Sequence, residues 1–409
     1  MKLSLFAASL LTAATIALPA LGQSASVVDI MEQSIRTSPS VFTAEADLDR
    51  ASATASRIAS GPYEFEVNAS GGQRRMDNPL ASESRYTEWA AGVSRTIRLP
   101  GKKRIDQDLA RIETDLAGST LDQALHLERQ EFAMLWSEWR SADLLRETSS
   151  VQAEEALRIA ELEQVAVDKG AERQIRADQL AAAAALLQLQ ADQDRSAAEV
   201  ARAALTSRYP DIAFPARPIP LELGDGAIAG LLDASIERMP AWRNSQLVAE
   251  QARLQAQRAR LEKTPDPTLG LEFTNEFGGA ETSIMARVTI PIGGSTRRAY
   301  AREMSASAAV ADLHRVRVER DFYQAIESAR QSLSASTSLH QKALETASAS
   351  ANILAKIRKG YELGEITVTE FLTARRSQIA AERTVAEQRG KLESDLLNLI
   401  ALTGGQINE

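Results

Sequence analysis

Four short segments of the chain alternate apolar and polar side chains with a period of two. They cover about residues 63–71, 88–99, 267–275 and 283–291. In the first segment, for example, Tyr63, Phe65 and Val67 are separated by glutamates. Alternation over about 9–11 residues predicts a β-strand with one apolar and one polar face. For any one segment, a small amphipathic sheet that caps a helical domain is sufficient explanation.

The length and the polar face of these strands also suit a membrane. A strand of about 9–11 residues crosses a bilayer when it is tilted, and charges such as Glu66, Glu272 and Arg287 on one face suit a water-filled lumen. Lipid offers no hydrogen bonds to strand edges, so only a closed barrel can span it. The smallest membrane barrel has about 8 strands, so at least two chains must contribute. Three chains would give about 12 strands and room for a pore, but the strands alone do not fix the number.

Two very long stretches without helix breakers follow the paired strands. Between Gly101 and Gly170 there is no proline and only one glycine, and between Gly294 and Gly360 there is neither. About 65 helical residues at roughly 1.5 Å each span on the order of 100 Å. In the first stretch apolar residues step by four, three and four positions, as in a coiled-coil seam. We therefore predict two long helices, with returning helices over 171–209 and 365–403 and preceding helices over 26–60 and 227–264.

The order of elements occurs twice. Ser34-Ile35 and Pro39 recur 201 positions later as Ser235-Ile236 and Pro240, and two turn glycines recur at offsets of 193 and 194. The polar loops between paired strands, predicted over 72–87 and 275–282, differ by about eight residues, which accounts for the drop in offset. We predict a mainly α fold with a small β part, built from a duplicated helix–strand–strand–long helix–helix unit. The first repeat covers 23–209, a proline-rich linker 210–226, the second repeat 227–405 and a tail 406–409.

The first residues have the pattern of a cleaved signal peptide over 1–22. A short basic start precedes an apolar core over about 3–18 and a small-x-small cleavage site at 20–22. A membrane-spanning helix would need about 20 apolar residues. We therefore predict export of the mature chain rather than an N-terminal anchor.

Composition excludes several kinds of protein. The chain has no cysteine, which rules out disulfides and thiolate metal ligands, and its net charge of −8 argues against a nucleic-acid surface. Basic residues nevertheless follow the strands, at Lys102, Lys103 and Arg104 and again at Arg297 and Arg298. Cations at a helix N-terminus oppose the helix dipole. We expect them either to be solvated or to contact anionic lipid headgroups.

No constellation in the sequence resembles an enzyme site. The three histidines are scattered, and no Gly-rich loop follows a strand and opens a helix in the pattern that binds phosphate. Glu154-Glu155 lies on a helix rich in glutamate, where a solvated face is the expected environment. We therefore predict no catalytic residues, no cofactor and no metal site.

Two sets of residues carry a family resemblance. Gly360-Tyr361-Glu362-Leu363-Gly364, followed by Thr367, Leu372, Ala374, Ala381, Ala386, Arg389, Leu397, Leu402 and Gly404, resembles the second-repeat signature of the TolC-like outer membrane efflux family. The run Arg98-Leu99-Pro100-Gly101-Lys102-Lys103-Arg104 is similar to the strand-to-helix junction of its heavy-metal (CzcC-like) branch. By the same resemblance, Pro291, Gly293 and Gly294 form the second junction.

The resemblance implies a homotrimer. Its four strands per chain close a 12-stranded outer membrane β-barrel, and its long antiparallel helices form an α-helical barrel in the periplasm. Such a channel is a passive exit duct that meets a periplasmic adaptor protein and an inner membrane pump, with heavy-metal cations as one cargo. A type I secretion duct for polypeptides shares this fold, and a non-transporting periplasmic coiled-coil scaffold is the alternative from another class.

The resemblance also assigns roles near the helix turns. Gly170, Gly360 and Gly364 lie in the turns that dock the adaptor. Glu370 falls on the acidic ring that narrows the periplasmic entrance, the second acidic position is Thr373, and Tyr361 matches a tyrosine that latches the closed end. The usual partners of that tyrosine are replaced by Arg176 and Ile366. We therefore expect either an inverted latch in which Arg176 pairs with Glu370 or Glu365, or side chains that are solvated on the helix surface.

Overall fold

A computed structural model describes residues 26–76, 84–170, 173–215, 223–233 and 236–404. The predicted signal peptide over 1–22 and the tail over 406–409 lie outside these residues. The described residues form eight α-helices and four β-strands. Their order confirms the predicted mainly α fold, because each repeat runs through helix, two strands, long helix and returning helix.

The first repeat contains α1 (Val27–Ile35), α2 (Pro39–Ser60), β1 (Phe65–Met76), β2 (Ser84–Thr96), α3 (Pro100–Asp168) and α4 (Gln174–Arg208). The second contains α5 (Asp225–Leu232), α6 (Pro240–Leu261), β3 (Thr268–Glu276), β4 (Glu281–Thr289), α7 (Ser295–Glu362) and α8 (Val368–Thr403). The long helices α3 and α7 have 69 and 68 residues. None of the helices in the described ranges combines the length and the apolar character that crossing a membrane requires.

Several predicted boundaries are wrong. β1 and β2 extend toward each other to Met76 and Ser84, so much of the loop predicted over 72–87 is paired strand. The other loop shrinks to four residues, 277–280, because β3 and β4 pair up to Glu276 and Glu281. Residues 97–99 and 290–291 are not strand, since a helix begins at Pro100 and Pro291 has no N–H to donate. The helices predicted over 26–60 and 227–264 are each interrupted just before a proline, at Pro39 and Pro240.

The helices pack side by side into a wall. α3 lies against α2 and α4 on one side and against α6 and α8 on the other, and α7 packs on α6 and α8. Small residues make these contacts close: Ala177, Ala184, Ala191 and Ala198 recur every seven residues on α4 and are all buried. Such a heptad repeat is the pattern of a coiled-coil seam. α7 therefore forms one border of the wall, and α2 with α4 forms the other.

The largest core lies midway along α3. Phe132, Trp136 and Trp139 are buried there with Tyr209 from the end of α4 and with the last turns of α8. The linker contributes as well, because the Phe214 ring lies 4.9 Å from that of Trp139 in an edge-on contact. α1 and α5 cover this core. We call this region the waist.

Contact between α3 and α8 depends on a glycine, and this generates a prediction. A Cβ added at Gly390 would lie 2.7 Å from Ser141 Oγ and 3.1 Å from Ser141 Cβ, whereas one at Gly118 on α3 would meet nothing within 4 Å. Gly118→Ala should stabilise the protein by about 0.5–1 kcal/mol through helix propensity. Gly390→Ala should forfeit that gain and destabilise, because α3 and α8 must separate. Denaturant unfolding followed by far-UV circular dichroism would compare them, and equal shifts for both variants would contradict the tight packing.

Candidate functional site

The four strands form one antiparallel sheet in the order β1-β2-β3-β4. Residues directly opposite each other in such a ladder share a face. The register places most apolar positions of the four strands on one face, and only Met76, Tyr86, Ala90 and Met285 lie on the other. The first set is Phe65, Val67, Ala69, Trp89, Ala91, Val93, Leu269, Leu271, Phe273, Ile284, Ala286 and Val288. This face is open to solvent in the single chain, with Val67 81% and Ile284 77% exposed.

The opposite face of the sheet is polar and its side chains are paired. Arg287 lies 3.0 Å from Glu272, Arg74 lies 2.9 Å from Glu88, and the hydroxyls of Thr274 and Ser283 are 2.7 Å apart. Along β2 and β3 the polar positions are half-buried or buried while the apolar ones are exposed. This asymmetry indicates a sheet that curves toward its polar face. The apolar face is therefore convex and the polar face concave.

A buried network of charges joins the strands to the helices. Arg98, just after β2, lies 2.7 Å from Asp106 on α3 and 2.9 Å from Asp266 before β3. Lys102 lies 3.1 Å from Glu262 and 3.0 Å from the same Asp266. We call these five residues the junction network. It connects the first repeat to the second at the point where the sheet ends.

The junction network corrects one expectation about the basic residues. Lys102 is only 2% exposed and is ion-paired, so it neither contacts lipid nor lies in solvent. Arg297 in the second repeat is bound too, donating to the Glu262 carbonyl at 2.8 Å. Lys103, Arg104 and Arg298 are exposed as expected. The acidic partners of Lys102 come from the other repeat, which the local sequence does not reveal.

The junction prolines and glycines allow the chain to pass closely between strand and helix. Pro100 occupies the first turn of α3, where a missing N–H costs nothing, and Pro291 lies in the segment before α7. A Cβ at Gly293 would lie 2.7 Å from the Lys263 carbonyl oxygen. Gly294 is the N-cap of α7, and Gly101 lies near Leu261 of α6.

At the other end of the wall, the two long helices end in glycine turns, which we call the tip. Gly170 and Gly364 have φ of 73° and 78°, a left-handed conformation that favours glycine. Each donates its N–H three residues back, to Val167 and Tyr361, and Glu365 N–H bonds to Gly360 O at 2.9 Å. Gly360 is also needed for space, since a Cβ there would lie 2.6 Å from Ile366 Cγ1.

Arg176 and Tyr361 meet at the tip. The Arg176 guanidinium lies over the Tyr361 ring, 4.0 Å from its centroid, and donates to its hydroxyl. Arg176 also lies 2.8 Å from the Glu163 carboxylate on α3. Tyr361 stacks on buried Phe371 of α8, with centroids 4.7 Å apart. This tip cluster of four residues, one from each of α3, α4, α7 and α8, joins the two repeats.

Within the chain, Arg176 pairs with Glu163 and not with Glu370 or Glu365 as expected. Glu370 instead caps α8: its carboxylate accepts the Thr367 N–H at 2.9 Å, and its own N–H donates to the Thr367 hydroxyl. These hydrogen bonds hold the pKa of Glu370 below its usual value, so it stays ionised at neutral pH. Thr373, one turn further, bonds back to the Thr369 carbonyl. Both side chains are exposed.

Glu155 is a second residue whose environment differs from the prediction. Glu154 is exposed as expected, but Glu155 lies 3.0 Å from Arg358 on α7 and 2.5 Å from Arg375 on α8. Burial acts to raise the pKa of Glu155, but the two guanidinium groups outweigh it and the pKa falls below its usual value. Arg375 is buried. Glu155 is therefore a bridge between the repeats rather than a solvated charge.

Chemistry other than ion pairing is sparse. In the ranges that the structure describes, no three His, Asp or Glu side chains gather as a group that could hold a metal ion. His126 is buried, and burial lowers its pKa, with the charge of Arg129 adding to the effect. It accordingly contributes a neutral ring to the interior of the wall.

Comparison with solved structures identifies the fold. The outer membrane protein VceC from Vibrio cholerae matches with a TM-score of 0.74 and 18% identity, covering 93% of this chain and 96% of that one. The open state of the Neisseria gonorrhoeae MtrE outer membrane channel gives 0.70 and 17%, covering 92% and 88%. The Campylobacter jejuni CmeC outer membrane channel gives 0.68 and 16%, covering 92% and 85%. Neither protein-family models nor curated protein sequences match the chain.

The chain therefore has the fold of the outer membrane channels. The resemblance inferred from its motifs is confirmed at this level. The match extends over both repeats, since it covers more than nine-tenths of the chain.

The junction network makes stability depend on pH. Burial raises the pKa of Asp266 and of Glu262, but donors from Arg98 and Lys102 more than offset it, and both pKa values are lowered. Since the folded-state pKa lies below the unfolded one, the stabilisation is complete above the unfolded pKa and is lost as the pH falls below about 4. Asp266→Asn should weaken this acid dependence and cost about 3–5 kcal/mol at neutral pH, because buried Lys102 loses a partner.

A matched control is Asp312→Asn, which breaks an exposed pair with Arg253 and should cost about 0–1 kcal/mol. Unfolding free energies between pH 3 and 7 would be measured for both variants. Equal costs would show that the junction network contributes no more than a surface pair.

Proposed function

We propose that this chain is the outer membrane channel of a three-component export system and conducts its cargo passively. The observation that carries the proposal is the sheet, whose convex face is apolar across all four strands and whose concave face is polar and ion-paired. Lipid would cover the first face and water the second. The chain contributes no catalysis in this proposal.

Closure of the sheet requires further copies of the chain. β1 and β4 are the border strands of the described sheet, and each presents a row of backbone groups that lipid cannot satisfy. In a ring of three copies, β4 of one would pair with β1 of the next to give a 12-stranded barrel. The same ring would bring the α7 border of each wall against the α2 and α4 border of the next. A homotrimer in the outer membrane, with its helices in the periplasm, satisfies both requirements.

The partners follow from the length of the helices. A wall on the order of 100 Å long would reach toward a periplasmic adaptor protein, which would meet the tip turns at Gly170, Gly360 and Gly364. An inner membrane pump would then supply the energy and the specificity. The metal-branch resemblance of residues 98–104 favours heavy-metal cations as cargo. The two faces of the sheet favour a membrane channel over a periplasmic scaffold, which would need no apolar convex face.

The membrane assignment is tested by placing the same charge on the two faces of one strand. Val288→Arg on the apolar face should cost about 2–4 kcal/mol near mid-membrane and lower the yield of assembled oligomer. Met285→Arg is the control, because Met285 lies on the polar face opposite Glu272 and should be tolerated. Outer membrane fractions would be extracted with detergent and sized by light scattering. Equal yields for the two variants, or a wild-type monomer without membrane association, would rule out the barrel.

We propose that the tip cluster holds the periplasmic entrance closed. Arg176 binds Glu163 of its own repeat and Tyr361 of the other, so opening between the repeats would break the Tyr361 contact. Three copies of Glu370 would converge near the axis of a trimer, where like charges repel and a cation or a basic partner would be favoured. Thr373 in place of a second acid makes this ring less negative. The adaptor would release the latch by competing for these side chains.

The latch is tested by single-channel conductance in planar bilayers. Arg176→Glu should raise conductance or opening frequency, because Glu163 and the new carboxylate repel and the Tyr361 ring loses its cation. The exchanged pair Arg176→Glu/Glu163→Arg should restore part of the closure. Arg173→Glu, at an exposed position three residues earlier, is the matched control and should behave as wild type. An Arg176→Glu channel as closed as wild type would place the constriction elsewhere.

A further inference from the structure

The turn between β3 and β4 has an unusual backbone. Phe277–Gly279 forms a single turn of 3-10 helix, in which Phe277 has a φ of 49°. A positive φ is rare for a bulky residue because its Cβ crowds the backbone. Such a conformation persists only where the surroundings hold it. The contacts that hold Phe277 in this conformation therefore indicate the role of the turn.

Three residues of the concave polar face hold Phe277. The Arg74 guanidinium lies 4.7 Å from the centroid of its ring, and the Tyr86 ring meets it edge-on at 5.6 Å. The Phe277 N–H donates to the Glu88 carboxylate at 3.3 Å. Arg74 is itself fixed by Glu88 at 2.9 Å and by Glu276 at 3.4 Å. The ring is consequently half-buried among charged side chains.

The alternation of β3 would have placed this ring on the opposite face. Leu271 and Phe273 point to the convex apolar face, where Phe273 packs on Trp89 with centroids 5.4 Å apart. Phe277 is an even number of residues further and would follow them if the strand continued. The left-handed conformation instead turns it over the end of β2 toward the concave side. An aromatic side chain is thus moved from the apolar face to the polar one.

We propose that Phe277 narrows the outer mouth of the channel, as an aromatic constriction held by Arg74 and Tyr86. This inference rests on the proposed function, in which the concave face lines the lumen and the hairpin turns lie at the outer surface. Each copy in a closed ring contributes one Phe277 held on the inner wall, so three aromatic rings line the mouth and reduce its free cross-section. Apolar side chains at a narrow point raise the barrier to hydrated solutes. The mouth would therefore be set by the turn rather than by the strands.

The absence of cysteine from the chain allows a direct test. Phe277→Cys, reconstituted as a full channel in planar bilayers, would be labelled from the outer side with a bulky methanethiosulfonate reagent. Labelling should lower the single-channel conductance of Phe277→Cys. Phe273→Cys, on the convex face of the adjoining strand β3, is the matched control and should show no loss. Mass spectrometry would establish that both positions are labelled.

A second variant tests the size of the constriction. Phe277→Gly removes the ring and accepts the positive φ without strain, so it should fold. In the Arg176→Glu background, in which the tip no longer limits flow, it should increase conductance over that background. A fully labelled Phe277→Cys channel that conducts as before labelling would overturn the proposal. If wild-type protein forms no channels at all, the proposed function fails instead.

Discussion

The backbone groups at the two borders of the sheet constrain how copies of this molecule can assemble. Four paired strands leave two rows of N–H and C=O groups without partners in the sheet, and a bilayer cannot satisfy them. In the proposed channel, closure by further copies also determines how the helical walls meet, because each wall is continuous with its share of the sheet. The helices are long, with 69 residues in α3 and 68 in α7, so the borders of neighbouring walls would be brought together once the strands pair. Four strands spaced about 4.8 Å apart make a sheet about 20 Å across, and its closure thereby determines the assembly of helices on the order of 100 Å long.

The two repeats are alike in element order and different in chemistry. Arg98 and Lys102 come from the first repeat and find their acids, Glu262 and Asp266, in the second. At the tip, Arg176 and Glu163 of the first repeat hold Tyr361 of the second. A duplicated chain with identical halves would have equivalent contacts within and between its repeats. Here the charges make the contact between the repeats distinct, which gives the wall one defined order of helices.

Local pattern sufficed to predict the faces of the strands and the long helices. Period-two alternation marks Val67 and Val288 as apolar-face residues, and the register brings them onto the same side of the sheet. The extended end of β1 is not predictable from local pattern, because 72–75 is Gly-Gln-Arg-Arg and carries no apolar alternation. Charged residues were the least predictable. A solvated glutamate and a bridging one, such as Glu154 and Glu155, have the same sequence signature, and only the approach of α7 and α8 separates them. The pairing of Arg176 with Glu163 is unpredictable from sequence for the same reason.

The waist divides α3 into two mechanically different parts. On the sheet side of the waist, buried ion pairs connect α3 to the strands. At the waist itself, Phe132, Trp136 and Trp139 of α3 are buried in the aromatic core. Below Trp139 about 30 residues, or roughly 45 Å, continue to the tip, supported by seams of alanine and by scattered ion pairs. A pivot of α3 together with α4 at the aromatic packing would be transmitted over this length. A tilt of about 5° there would displace the tip by about 4 Å, enough to separate Arg176 of α4 from the Tyr361 ring of α7 while the strands stay still.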